Sequence, residues 1–235
     1  GHGMPVLSAR CSTANRGTPL GVLREAINGF VSCQASGGSL EARRYQNLIR
    51  ESAGDIAPLL HTISPRLSEL LMEGGLPERD AASSADQAPQ AVTEFLLRLA
   101  TNPRGAILFI DDLNYRDEAS WQVLLRLLQQ HGQSGLVILV AMRKDRVSEK
   151  FTQELVKAAR HQRKAMVELD SLDEEAVCQL LEVQLGTPNI NKALASQVFN
   201  RSAGNPLGVV DLVRAMLVKG VLSPYWGEWI LEEGA

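Results

Sequence analysis

Little in this chain of 235 residues advertises a partner. Basic and acidic residues nearly cancel, 24 Lys and Arg against 27 Asp and Glu, for a net charge of −3. No polybasic run occurs, which argues against direct contact with nucleic acid. Apolar runs stay far short of the roughly 18 residues needed to span a bilayer, so no membrane segment is expected. No charged-then-apolar leader marks a secretory signal. Cysteine is scarce: Cys11, Cys33 and Cys178 stand far apart, with no C-x-x-C pair. Such an odd, scattered set excludes a disulfide framework and fits a reduced, cytoplasmic protein. His61, His131 and His161 lack metal-ligand spacing, and His2 lies in a Gly1-His2-Gly3 leader that resembles an expression remnant. No metal site built from His or Cys is expected. No repeat of roughly 20–50 residues is visible, which excludes a solenoid.

What is present is the composition of an ordinary globular protein, 45% hydrophobic and 22% charged, of a length for one large domain or two small ones. The most informative stretch is Ala106-Ile107-Leu108-Phe109-Ile110-Asp111-Asp112. A short continuous apolar run bounded by turn signals reads as a buried strand of a parallel sheet. Ligands of open α/β sheets gather beyond the carboxyl ends of such strands. Two acids there are placed to hold a Mg²⁺ and to orient a water, the form of a Walker B motif. Asp also ends strands simply because it caps and turns well, and the heptapeptide alone leaves both readings open.

Further strands are expected at Pro5–Ala9, Leu136–Ala141 and Ala165–Leu169, the last as a third interior strand. Helical periodicity covers Pro19–Phe30, Leu40–Ser52, Ile56–Leu71 with breaks at Pro58 and Pro65, Ala91–Ala100, Asp117–Leu128 and Ser148–Arg160. Ser171-Leu172-Asp173-Glu174 has capping-box form and opens a helix to Leu185. Helices at Asn191–Asn200 and Val209–Lys219 follow, then a hairpin within Val221–Leu231 that carries Trp226 and Trp229. Glu73–Gln90, rich in Gly, Pro, Ser, Ala and Asp, reads as a surface loop. Strands alternating with helices, then a helical run, predict an α/β core followed by a smaller helical subdomain.

The acidic strand end, the neighbouring strand tipped by Arg143 and the late Gly204-Asn205-Pro206 before a helix occur in that order. Together they resemble the signal-transduction ATPases with numerous domains (STAND), within the AAA-like group of P-loop NTPases. Ile107–Leu128 looks like their Walker B strand with the turn and helix after it. Val137–Asp145 looks like their sensor strand, and Asn200–Leu222 like their lid segment. VLSARCS near the start, with PLGVLREAI after it, resembles the family's second strand and its helix. The resemblance implies a nucleotide-binding α/β core over residues 4–170 and a helical lid over 171–235. It implies ATP and Mg²⁺ as cofactors. Asp111 would hold the metal, Asp112 would orient or deprotonate the attacking water, and Arg143 would sense the γ-phosphate. Gly204 and Pro206 would touch the adenine and couple the lid to nucleotide state, although Pro206 taken alone reads first as a plain helix start. Asn114 and Tyr115 stand where the family often has His and Trp.

One piece is absent. No G-x-x-x-x-G-K-S/T occurs, so the backbone cradle and Lys of a Walker A loop are missing. In the family that loop and its strand would precede Pro5. Either the segment lies upstream, the preferred reading, or the module is a degenerate, non-hydrolysing descendant. In both cases these residues alone should bind ATP poorly and leave sheet edges open. Expected partners are ATP, other domains of a larger bacterial signalling protein and a second copy of the chain, with scaffolding or oligomerisation as the alternative function.

Overall fold

The computed structural model describes residues 3–14, 16–61, 63–72, 81–130, 134–146, 148–160, 164–188, 190–225 and 228–231. They fall into two compact units, Gly1–Lys164 and Ala165–Ala235.

In the first unit, β1 (Val6–Arg10), β2 (Ala106–Asp111) and β3 (Leu136–Val140) form one parallel sheet in that order. Parallel neighbours require crossovers. The first runs through α1 (Gly21–Gln34), α2 (Leu40–Ala53), α3 (Ala57–Leu60), α4 (Pro65–Met72) and α5 (Ala81–Ala100), and the second through α6 (Glu118–Gln130). Side chains alternate across the sheet, so each strand has one inward set. Leu7, Ala9, Ala106, Leu108, Ile110 and Leu136 are buried in one core with Ile27 and Phe30 of α1, Phe95 and Leu99 of α5, and Leu124 and Leu127 of α6. Each large side chain buried this way contributes about 1.5–3 kcal/mol. This is the expected parallel α/β layering.

The other face of the sheet is different. Register places Val6, Ile107 and Val137 in one row and Ser8, Phe109 and Leu139 in the next. Val6, Val137 and Leu139 are 39%, 46% and 50% exposed, and Ile107 and Phe109 are half-buried. Parallel sheets are ordinarily covered on both sides. Here one apolar face meets water.

Two sequence expectations need correction in this region. Residues 81–90 belong to α5 rather than to a loop; residues 73–80 of that expected loop lie outside the described residues. The alanines there favour a helix, and burial of Ala88, Ala91 and Val92 outweighs the hydrogen bond that Pro89 cannot donate. Residues 165–169 are not a strand. Met166, Val167 and Leu169 are 68%, 77% and 91% exposed, and the described sheet ends at β3. An apolar run becomes a strand only when a neighbour takes its backbone N–H and C=O groups, and no described strand pairs with this one.

After β3 comes α7 (Glu149–Ala158), capped by the Ser148 hydroxyl, which accepts from the Phe151 N–H at 3.2 Å. Phe151 stacks on Trp121 of α6 at 4.5 Å between ring centroids, and the Arg116 guanidinium lies over both rings, 4.0 and 4.6 Å from their centres.

The second unit holds α8 (Glu174–Leu185), α9 (Lys192–Ser202), α10 (Pro206–Val218) and an antiparallel hairpin of β4 (Leu222–Tyr225) and β5 (Glu228–Leu231). Its core is Val177, Leu181, Leu194, Val198, Val209 and Val213. The cap of α8 is Asp173, whose side chain accepts from the Ala176 N–H at 2.8 Å, and not the expected Ser171. Glu174 then becomes the first helical residue, and its carboxylate takes the Ser196 hydroxyl of α9 instead of reaching back to a cap. Similarly α10 opens at Pro206, three residues before the expected Val209. Trp229 donates its indole N–H to the Leu185 carbonyl at 3.3 Å, so the hairpin is tied to the end of α8. Trp226 lies outside the described residues.

Candidate functional site

The carboxyl end of β2 is held from both sides by backbone bonds. Cys11 N–H donates to the Asp111 carbonyl at 2.9 Å, and Leu113 N–H donates to the Ala141 carbonyl at 3.0 Å. Asp112 leaves the strand in the left-handed region, φ 50° and ψ 42°, and a 3₁₀ turn, Leu113–Tyr115, follows. Asp is among the few side chains that take this conformation readily. The turn folds the Asp111 side chain back on the backbone: Asp112 N–H donates to Asp111 Oδ1 at 2.8 Å.

Opposite them on β1 stands Arg10, the register partner of Asp111. Its Nε donates to Asp112 Oδ2 at 2.7 Å and lies 3.8 Å from Asp111 Oδ2, an ion-pair distance beyond hydrogen-bond reach. The hydrogen bond that Arg10 donates to Asp112, and then the Asp112 charge, raise the guanidinium pKa above its ordinary value. The Asp111 side chain remains 40% exposed, that of Asp112 19%.

Arg143, just past β3, turns its side chain elsewhere. Its Nε and Nη2 each lie 3.1 Å from an oxygen of Asp145, holding that exposed carboxyl below the usual range. Its backbone N–H is 3.4 Å from Asn114 Oδ1, so Arg143 is at the same strand end while its guanidinium is engaged locally. Gly204 and Pro206 belong to the second unit. Gly204 is buried at φ +71°, and a Cβ there would stand 2.1 Å from the Leu172 carbonyl oxygen. Leu172 N–H donates to its carbonyl at 2.8 Å. Asn205 caps α10 by accepting from Gly208 N–H at 3.0 Å, and Pro206 is the exposed first helical residue. Both therefore have a local packing reason for their identity.

Two residues outside the sequence-level candidates organise this end of the sheet. Arg10 is one. Asp117 is the other: 3% exposed, it accepts from Leu20 N–H at 2.9 Å, Ser120 N–H at 2.8 Å and Val22 N–H at 3.4 Å. It thereby caps α6 and pins the entry of α1, where Leu20 sits at φ 59°. Its position directly before a helical run was a readable cap signal. Its hold on Leu20, 97 residues away, was not. Burial, and next the Asp117 charge, push the Cys11 thiol up to about 12, so it is no nucleophile.

Among the described residues no group of three or more His, Cys, Asp and Glu gathers to hold a metal. Two hard carboxylates at a half-exposed strand end suit instead an ion that keeps most of its water, which is the habit of Mg²⁺. In the folded chain the Arg10 guanidinium already places a positive charge on the pair. The described helices include none long and apolar enough to cross a membrane. A family model described as the AAA ATPase domain matches residues 2–140, a span that contains β1, β2, β3 and both acids. No curated protein and no solved structure matches significantly.

Proposed function

Because the chain belongs to the AAA ATPase domain family and has its P-loop NTPase-like α/β fold, we propose that it is the ATP-responsive module of a multi-domain signal-transduction protein of the STAND type. The observation that carries this reading is the Asp111–Asp112 pair, left half-open at the carboxyl end of the middle strand of a parallel sheet. Asp111 would hold Mg²⁺ and Asp112 would orient the attacking water, since phosphoryl transfer asks the protein for position more than for covalent chemistry. Mg²⁺, when bound, neutralises the charge that gathers on the phosphates. Arg143 reads the γ-phosphate with a planar fork, and for that it must leave Asp145. Gly204 and Pro206, at the start of α10, would supply the adenine-contacting motif that the resemblance assigns to the helical subdomain.

A second reading has its own support. These 235 residues contain no G-x-x-x-x-G-K-S/T, and so no Walker A cradle for the phosphates. A scaffold or oligomerisation module that keeps the fold without hydrolysis is the alternative account of that. Titration of fluorescent ATP with Mg²⁺ against this chain, and against a version extended at its N-terminus, separates the two. The ATPase reading expects weak binding here and firm binding on extension, lost in Asp111→Ala and Asp112→Ala. Absence of binding in both forms refutes it and leaves the scaffold.

A further inference from the structure

We propose that Arg10 is a tethered counter-cation of the Asp111–Asp112 pair, a gate that a divalent metal must displace before the site can take nucleotide. The inference rests on the reading of those acids as the metal-bearing half of the site.

The backbone makes the contact almost unavoidable. Arg10 is the last residue of β1, and Asp111 the last of β2, at the same register position of adjacent parallel strands. Side chains at one register position rise from the same face of a sheet and stand close together. A guanidinium at position 10 is therefore delivered to the acids by the pairing itself. The face on which it rises is the one where Ser8, Val6 and Leu139 meet solvent, and among the described residues no packed layer directs the side chain elsewhere.

Charge gives the contact its direction. Two adjacent carboxylates repel each other, and a single guanidinium nitrogen, 2.7 Å from Asp112 Oδ2 and 3.8 Å from Asp111 Oδ2, relieves part of that repulsion. A divalent ion would relieve more. The two cations cannot share one position, because Arg10 Nε already holds Asp112 Oδ2, at 2.7 Å. Binding of metal and retention of Arg10 are thus alternatives.

The contact is also built to yield. The Arg10 side chain is 72% exposed and reaches Asp112 through Nε alone, not through the bidentate fork that makes arginine pairs strong. Arg143 shows the contrast at the same strand end, gripping Asp145 with two nitrogens. A weak, exposed, monodentate pair filters cations by charge without closing the site. Once released, the guanidinium stands beside the acids with its fork free for an oxyanion.

Mn²⁺ titration of the full chain, read by the loss of the free-ion electron paramagnetic resonance signal, tests this with the metal alone. Arg10→Gln keeps the length and removes the charge; it should bind Mn²⁺ about two- to fivefold more tightly, the factor that corresponds to an exposed ion pair. Asp111→Asn and Asp112→Asn should each lose the ion. In parallel, the Arg10 Nε–H resonance, identified by its absence in Arg10→Lys, should move on adding Mg²⁺ and should already be displaced in Asp112→Asn. Equal Mn²⁺ affinity in the parent and Arg10→Gln, with loss in the Asp variants, overturns the gate and leaves the ATPase reading standing. Unchanged Mn²⁺ binding in both Asp variants, or none in any form, removes the metal site and the gate with it.

Discussion

Replacing Asp117 by Ala should unfold the first unit more readily than any change at the acids two turns away. The carboxylate is 3% exposed and accepts three backbone N–H groups, those of Leu20, Val22 and Ser120. Loss of the Ser120 contact removes the cap of α6, worth about 1–2 kcal/mol. The Leu20 N–H is left buried without an acceptor, at about 1–3 kcal/mol. The Val22 contact, at 3.4 Å, adds little. The total comes to about 3 kcal/mol. Asp117→Asn keeps one acceptor oxygen for the two short bonds and turns an NH₂ toward Val22, so about 1 kcal/mol is expected. Urea unfolding followed by Trp121 fluorescence, in a background with Trp226 and Trp229 changed to Phe, reports on the first unit alone. With a slope of about 2 kcal/mol per M, the Ala variant should lower the midpoint by about 1.5 M and the Asn variant by about 0.5 M. A shift below about 0.5 M for Ala, or equal shifts for both, would refute the view that Asp117 joins α1 to α6 through those bonds.

Two further outcomes follow from geometry. Gly204→Ala should destabilise the second unit by more than about 2 kcal/mol, through a left-handed φ and a Cβ placed against the Leu172 carbonyl, as measured by loss of the α8–α10 helical signal on heating. Cys33 is exposed and should alkylate readily with iodoacetamide at pH 8, whereas Cys11 should stay unmodified until the fold opens, because its thiolate forms only near pH 12; modification of Cys11 at pH 8 under native conditions would contradict its burial. The sign follows from the raised value: the buried thiol favours the fold below the ordinary thiol range, and that contribution disappears as pH climbs toward 12.

The pieces that were legible in the sequence share one property: their cause is local. Apolar runs ending in polar turns gave β1, β2 and β3, and helical periodicity gave α1, α6 and α7. The misreadings have non-local causes. Residues 165–169 carry the pattern of an interior strand, but pattern cannot supply a neighbour. Residues 81–90 have loop composition, yet packing of Ala88 and Ala91 draws them into α5. Arg10 and Asp112 are 102 residues apart, so only the register of two strands reveals that they meet. The acids themselves were visible as a pair; what they hold in the folded chain was not.

The left-handed backbone at Asp112 restricts which acids that position can accept. Glutamate would reach farther toward a ligand, but its longer side chain lacks the short local hydrogen bonds that let Asp and Asn tolerate positive φ. A Glu here would meet the same backbone cost at its Cβ and would carry its carboxylate one methylene farther from the turn. The left-handed turn after β2 thus leans toward the shorter acid before any chemistry is considered.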